Sequence, residues 1–196
     1  MANVNDLAPF ILKWEGGFVN DPVDKGGATN MGVTLKTWRN VGYDKNGDGD
    51  IDVKDLKLLS KEDVIKKVLK PYYWDKWRAD EINNQSIANI LVDWVWASGK
   101  YGITKVQAML NLKPDGVVGN KTLSAINDYP NQRQLFQRIK NERLAFIDRI
   151  VKSNPSQRRF MKGWKNRVNA FKYFDEVKKH NLNITSSRCT GKATNV

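Results

Sequence analysis

Apolar residues recur along this 196-residue chain mostly at helical spacing, and the longest such stretches lie beyond residue 85. Near the N-terminus Leu7, Phe10, Ile11 and Trp14 follow i, i+3, i+4, i+7. They predict a short amphipathic helix over 6–15, with Asn5 as N-cap, Pro9 near the first turn and Gly16-Gly17 as the stop. From 16 to 34 the periodicity gives way to turn chemistry, Asp21-Pro22 and Lys25-Gly26-Gly27, flanked by Phe18-Val19 and Met31-Gly32-Val33. That reads as a small Gly-rich β-hairpin or irregular loop. Thr34 then caps a helix through Leu35, Trp38 and Val41, and Leu56, Leu58 and Leu59 carry another to about Ser60. Ser60-Lys61-Glu62-Asp63 has the form of a capping box, opening a helix through Val64, Ile65, Val68 and Leu69 that Pro71 should end.

Residues 85–98 are apolar on more than one face, as a buried central helix is, and Gly99 ends them. A helix, a Lys113-Pro114-Asp115-Gly116 turn and a second helix follow. Two long amphipathic helices over 131–153 and 156–178 should pair antiparallel with their basic residues outward. Residues 181–196 lose all periodicity and are expected to be a flexible tail that holds the single cysteine, Cys189. The fold class is mainly α, with one small β element.

Composition narrows the classes. With 40% hydrophobic residues and seven Trp, the chain can bury a substantial core. No apolar run reaches the ~18 residues of a membrane span. Met1–Asp6 lacks a basic n-region and Phe10-Ile11-Leu12 is too short for a signal core, so synthesis in the bacterial cytoplasm without a signal peptide is expected. One cysteine precludes an internal disulfide and suits a reducing compartment. The net charge of +12 is concentrated between 131 and 180, where fourteen Lys and Arg face four acids. Such a surface favours anionic polymers, either nucleic acid or a bacterial envelope rich in carboxylates and phosphates.

The candidate chemistry sits in Lys13–Thr34. Glu15 falls at the C-terminal end of the first predicted helix, where the macrodipole disfavours a carboxylate. With Trp14 and Phe18 beside it to exclude water, its protonated form should be favoured, and a protonated Glu near neutral pH is a general acid. Asp24 and Thr29 lie on the following loop, so two carboxylates and a hydroxyl are presented together, as glycoside hydrolysis requires. Asp24 would steady the cation or activate water, and Thr29 would hold that water. Asp21 and Asp24 equally suit Asx-turns. Asp21, Asn30 and Thr34 on the same stretch are candidate substrate contacts. So are Tyr73, in the aromatic run Tyr72-Tyr73-Trp74-Asp75-Lys76-Trp77, and Asp93 in the central helix.

The string Glu15-Gly16-Gly17, Asp21-Pro22, Gly26-Gly27-Ala28-Thr29, Gly32-Val33-Thr34 resembles the N-terminal signature of the glycoside hydrolase family 108 N-acetylmuramidases, bacterial and phage peptidoglycan hydrolases. The resemblance implies a lysozyme-like helical fold and makes Glu15 the catalytic acid. The Glu15–Asp24–Thr29 spacing also looks like that of phage-type lysozymes, except that four residues instead of five separate Asp24 from Thr29. In Asp93-Trp94-Val95-Trp96-Ala97-Ser98-Gly99, Ala97 stands where the family often has Asn. Val106–Leu110 and Gly119–Leu123 resemble the peptidoglycan-binding region that accompanies the family, with Asn120 where Pro is usual.

Between the two lies Asp44-Lys45-Asn46-Gly47-Asp48-Gly49-Asp50-Ile51-Asp52-Val53-Lys54-Asp55, an EF-hand-type pattern. Asp44, Asn46 and Asp48 would ligate calcium by side chain, Asp50 by its carbonyl, Asp52 through water and Asp55 from the following helix. Asp stands at position 12, where Glu is usual. A single loop suggests a structural clip for an insertion.

The expected organisation is a lysozyme-like catalytic lobe over 1–98, interrupted by the 44–55 calcium loop, then a peptidoglycan-binding region over 99–180 and the tail. The expected protein is a monomeric muramidase without organic cofactor or nucleic-acid partner, similar to a phage or prophage endolysin that acts on the wall after release. Two other readings stay open: a lytic transglycosylase using Glu15 alone, and a non-catalytic anion binder built on the 131–180 helices.

Overall fold

The computed structural model describes residues 1–20 and 27–175. The expected flexible tail, Asp21 and Asp24 all lie outside the described residues.

The first helix, α1 (Val4–Trp14), is capped by Asn3, whose side chain accepts the Asn5 N–H at 2.9 Å. The cap falls two residues before the expected Asn5 because Asn3 is gripped from across the fold. Its N–H donates to Gln85 Oε1 at 2.7 Å and its carbonyl accepts Gln85 Nε2 at 3.0 Å. The helix ends at Trp14, so Glu15 is already extended (φ −89°, ψ 138°). Gly16 and Gly17 take no left-handed conformation. The stop is therefore the turn into the next segment and not a glycine cap.

Strands β1 (Thr29–Asn30) and β2 (Val33–Thr34) form the hairpin, Thr29 opposite Thr34 and Asn30 opposite Val33. Its two turn residues, Met31 (φ 48°) and Gly32 (φ 77°), both have positive φ, as a tight turn matched to strand twist requires. Val19 exchanges both backbone hydrogen bonds with Thr29 at 2.8 Å, which brings the segment after Glu15 back alongside the hairpin.

Helix α2 (Leu35–Val41) starts at the predicted Thr34 cap, α3 is Val53–Lys57, and α4 (Lys61–Asp63) has the Ser60/Asp63 capping box. α4 runs on into a π-helical stretch, Val64–Trp74, that contains Pro71. The central helix α5 (Gln85–Ser98) follows, then α6 (Tyr101–Met109), α7 (Asn120–Asn127), α8 (Gln132–Ser153) and α9 (Arg158–Ala170). Pro71 does not end its helix because packing holds the segment on both sides of it. Val68, Leu69 and Trp74 are buried and the stretch lies against α1 and α5.

α5 is the axis of the molecule, in contact with α1, the π-helical stretch, α6 and α8. Gly102 lets α6 close on it, since a Cβ there would lie 2.6 Å from the Val95 nitrogen. One large core gathers Leu7, Ile11, Trp74, Leu91, Ile126 and Ile139; a smaller one under the hairpin gathers Val33, Trp38, Leu56 and Val68. Tyr73 and Trp96 pack against both.

α9 stops at Ala170, short of the expected 178, because tertiary contacts draw the chain out straight. The Phe171 ring packs 4.0 Å from that of Phe10, Lys140 Nζ donates to the Asn169 and Phe171 carbonyls, and the Phe174 N–H donates to Ser86 Oγ. The basic faces of α8 and α9 are also not uniformly outward: Arg143 and Arg167 turn into the protein. Among the described residues no helix is long and apolar enough to cross a membrane.

Candidate active site

Glu15 leaves the end of α1 and enters the seam between the two cores. Its Oε1 accepts Trp96 Nε1 from α5 at 2.8 Å and Arg167 Nη1 from α9 at 2.9 Å. The other oxygen faces the hairpin turn: a Cβ built on Gly32 would stand 2.6 Å from Oε2. Gly32 is thus required twice over, for its positive φ and for this approach. With Oε1 engaged by two donors, Oε2 is the oxygen left to meet a ligand. The side chain is 18% exposed, enough for one face to meet a ligand. The water-excluding cover is Trp96 and not the expected Phe18, which is exposed beneath the Lys57 ammonium. Trp14 packs on Phe10 instead.

Behind Glu15 lies a charge network absent from the sequence reading. Arg167 donates Nε and Nη2 to Asp93 Oδ1, at 3.1 and 2.7 Å, while its Nη1 reaches Glu15. Arg143 donates Nη2 to Asp93 Oδ2 at 2.9 Å and Nη1 to the Ile90 carbonyl at 3.0 Å. Asp93 is fully buried. It therefore reaches no substrate, and its place among candidate substrate contacts is corrected to that of an internal counter-ion. Burial alone would push both arginines down, and it does so for Arg143. For Arg167 the Asp93 and Glu15 carboxylates outweigh burial and raise its pKa further. Asp93 is thus paired with two cations, one of which also reaches Glu15, so that the buried charges all have partners.

A signal for both arginines was present. Asp93 inside an apolar helix calls for a buried cation. Arg143 shares the stripe of Ile139, Phe146 and Ile147, and Arg167 that of Trp164 and Phe171, both at helical spacing.

Asn30 is buried and its Nδ2 donates to the Leu56 carbonyl at 2.7 Å, tying the hairpin to α3. Thr34 Oγ1 accepts the Thr37 N–H as the cap of α2. These two candidate substrate contacts are thus engaged in holding the fold. Thr29 stands half-buried on β1 opposite Thr34. The Tyr73 ring packs against that of Trp96, centroids 4.6 Å apart and planes tilted by 50°, and its hydroxyl pKa is pushed up first by burial, then by the Glu15 charge. Glu15, the hairpin turn, Tyr73 and Trp96 come together; Asp93 stands behind them.

The 44–55 loop is separate. Asp44 accepts the Gly47 and Gly49 N–H groups, Asn46 that of Asp48, and Asp48 that of Asp50. Asp50 accepts the Ile51 N–H and Asp52 caps α3 through the Lys54 N–H. The buried Asp55 accepts N–H groups from Lys45, Asn46 and Asp52, the last foremost among the bonds that hold its carboxyl below the usual range. Lys45 fastens the loop to Asp63 at 2.8 Å. Among the described residues no three acidic, His or Cys side chains converge as placed to hold a metal.

Residues 8–99 match the sequence model of glycosyl hydrolase 108, and residues 101–169 that of a predicted peptidoglycan domain. Residues 8–99 are a family 108 glycosyl hydrolase domain. The chain is also similar to the solved structure of Brucella abortus SagA, with 28% identity and a TM-score of 0.68, over 85% of this chain and 89% of that one. No curated protein matches it. It is a glycoside hydrolase, and the adjoining peptidoglycan domain makes it a peptidoglycan hydrolase. Glu15 lies in the first matched region and Arg167 in the second, so the charge network crosses from one to the other.

Proposed function

We propose that this protein is an N-acetylmuramidase that cleaves the β-1,4 bond between N-acetylmuramic acid and N-acetylglucosamine, with Glu15 as the general acid. The observation that carries this is the asymmetric hold on the Glu15 carboxyl: Oε1 fixed by Trp96 and Arg167, Oε2 free against the side-chain-less Gly32. A carboxyl so fixed presents one oxygen, in one direction, to a glycosidic oxygen, which is the positioning that proton transfer to a leaving group needs. Asp24 is the proposed second carboxylate, and Thr29 would hold the attacking water. The half-buried Tyr73–Trp96 pair offers the apolar ring face on which a sugar packs.

The test is digestion of purified peptidoglycan by wild type and Glu15→Gln, followed by mass spectrometry. Hydrated muramyl ends from wild type and none from the variant are expected. Anhydro ends would instead make the protein a transglycosylase, and equal behaviour of the two proteins would remove Glu15 from the acid role.

The 44–55 loop is proposed to take calcium. Its donor set suits a hard cation: oxygen ligands from Asp44, Asn46, Asp48, Asp52 and Asp55, with the Asp50 carbonyl. The backbone supports this, since Gly49 at loop position six has φ 86° and α3 begins just after position nine, Asp52. A bound ion would join the loop to α3 and so to the floor of the hairpin, a structural role outside the proton-transfer chemistry.

A further inference from the structure

A cleft of about 500 Å³, lined in part by Tyr73, opens where the two matched regions meet. One wall comes from the hydrolase region, with Asn40, Tyr72, Tyr73 and Lys76; the other comes from the peptidoglycan domain, with Ile103 and Gly116, and Lys100 stands at the junction. Tyr72 closes its own wall by donating its hydroxyl to the Asn40 carbonyl at 3.2 Å.

Two features give the cleft a sign. Lys76 and Lys100 line it, and neither has an acidic partner among the described residues. Lys70, on the π-helical stretch, shows the contrast, for Asp75 and Asp80 both hold it. The stem of Lys100 is also seated. A Cβ on Gly116 would lie 2.2 Å from Lys100 Cε and 2.8 Å from its Cγ, so the lysine stem lies in a notch that exists only because residue 116 has no side chain. The turn forming that notch is itself fixed. The buried Gln107 accepts the Gly116 N–H at 2.8 Å and donates Nε2 to Asp115 Oδ1 and the Val117 carbonyl, at 3.0 and 2.9 Å.

We infer that this cleft binds the stem peptide of peptidoglycan by its carboxylates, so that the enzyme selects peptide-bearing glycan over bare glycan. The inference rests on the muramidase reading for its substrate. The glycan itself is neutral where the lactyl groups carry peptides, and the carboxylates of the polymer are on those peptides. Two ammonium groups without an acidic partner among the described residues, in a tyrosine-walled cleft, complement such a chain and not a sugar. The cleft also adjoins the proposed proton donor through Tyr73 and Trp96, as a peptide branching from a sugar bound there requires.

Two measurements test this. In the first, Glu15→Gln protein is titrated calorimetrically with the soluble stem tetrapeptide released from peptidoglycan by an amidase. Saturable binding, weakened roughly five- to tenfold when Lys76→Gln and Lys100→Gln are added, is expected for two partly exposed ion pairs. Absence of binding, or equal binding with and without the lysines, overturns the assignment. In the second, kcat/KM is compared on peptide-bearing strands and on strands stripped by the amidase. Wild type should prefer the former severalfold, and the ratio should fall towards one in Lys76→Gln/Lys100→Gln. Indifference of wild type to the peptides, or an unchanged ratio in the variant, overturns it. Peptide binding by a protein that cuts neither substrate upholds the cleft while removing the muramidase reading.

Discussion

At the scale of single residues, the Glu15 carboxyl is held by a network whose members do different work. Arg143 is a structural counter-ion. Arg143→Met leaves Asp93 buried with one cation instead of two, and breaking a buried pair in this way costs about 3–5 kcal/mol. Chemical denaturation should show that loss, and a variant as stable as wild type would mean that Arg167 alone suffices as the counter-ion of Asp93. Arg167 is a positioning residue, because one planar guanidinium spans Asp93 and Glu15. Lysine keeps the charge but cannot make both contacts at once. Arg167→Lys should therefore lower kcat about ten- to a hundredfold with little change in KM, and shift the pH–rate profile. A variant with a wild-type profile would show that Trp96 alone suffices. Gly32→Ala attacks the same carboxyl from the hairpin side. Its positive φ alone costs about 1–3 kcal/mol, and the new Cβ would displace Oε2, so activity should fall further than stability does.

At the scale of elements, the 44–55 loop and the π-helical stretch each make a measurable claim. Calcium at a hundred times its dissociation constant should stabilise the protein by about 2.7 kcal/mol, seen as a rise in melting temperature that a chelator reverses and Asp44→Ala abolishes. An unchanged melting temperature would reduce the loop to the Asx and capping bonds it already makes. The end of the π-helical stretch is held by ion pairs with opposite pH dependences. The Lys70 ammonium, helped by the Trp74 N–H, outweighs burial and holds the Asp80 carboxyl below its usual range. Lys70 is raised: burial opposes the shift, but Asp75 and then Asp80 outweigh it. Asp80 therefore contributes above its unfolded value of about 3.9 and loses that contribution as pH falls through its lower folded value. Lys70 contributes below about 10.4 and loses it as pH rises through its higher folded value. Melting temperatures should sag by about 1–3 °C at both extremes, and Lys70→Met should flatten the alkaline side. Where an element's signal was local, it was legible in the chain. The Thr34 cap, the Ser60/Asp63 box and the span of α5 are set by neighbours within four residues. The misread boundaries answer to distant partners: Gln85 on Asn3, α1 and α5 on Pro71, and Phe10 and Lys140 on Phe171. The same holds for the site. Glu15 and Gly32 stood out as a motif, whereas Trp96 and Arg167 come to them from 81 and 152 residues away and were masked by an expectation that basic residues face outward.

At the scale of the whole molecule, the two matched regions are not beads on a string. Their boundary falls at residues 99–101, yet a single core runs from Leu7 and Leu91 on one side to Ile126, Ile139 and Phe171 on the other. Gly102 brings α6 against the α5 backbone, and α8 packs on α5 as well. A core shared in this way couples the stabilities of its contributors, because neither half can lose its packing without exposing the other's apolar surface. Thermal unfolding should therefore be one transition, with near-UV and far-UV signals coincident. Ile126→Ala, in the peptidoglycan domain, opens a cavity that costs about 2–5 kcal/mol. It should lower the melting temperature reported by hydrogen exchange in α1 and α5 as much as that reported in α7. If α7 and α8 lose protection while α1 and α5 keep it, the regions are independent folding units, and the Arg167–Glu15 contact is a docked interface instead of an internal bond. If protection is lost together, the peptidoglycan domain is structurally part of the active site, and damage to its far side should reduce hydrolysis even where every residue around Glu15 is intact.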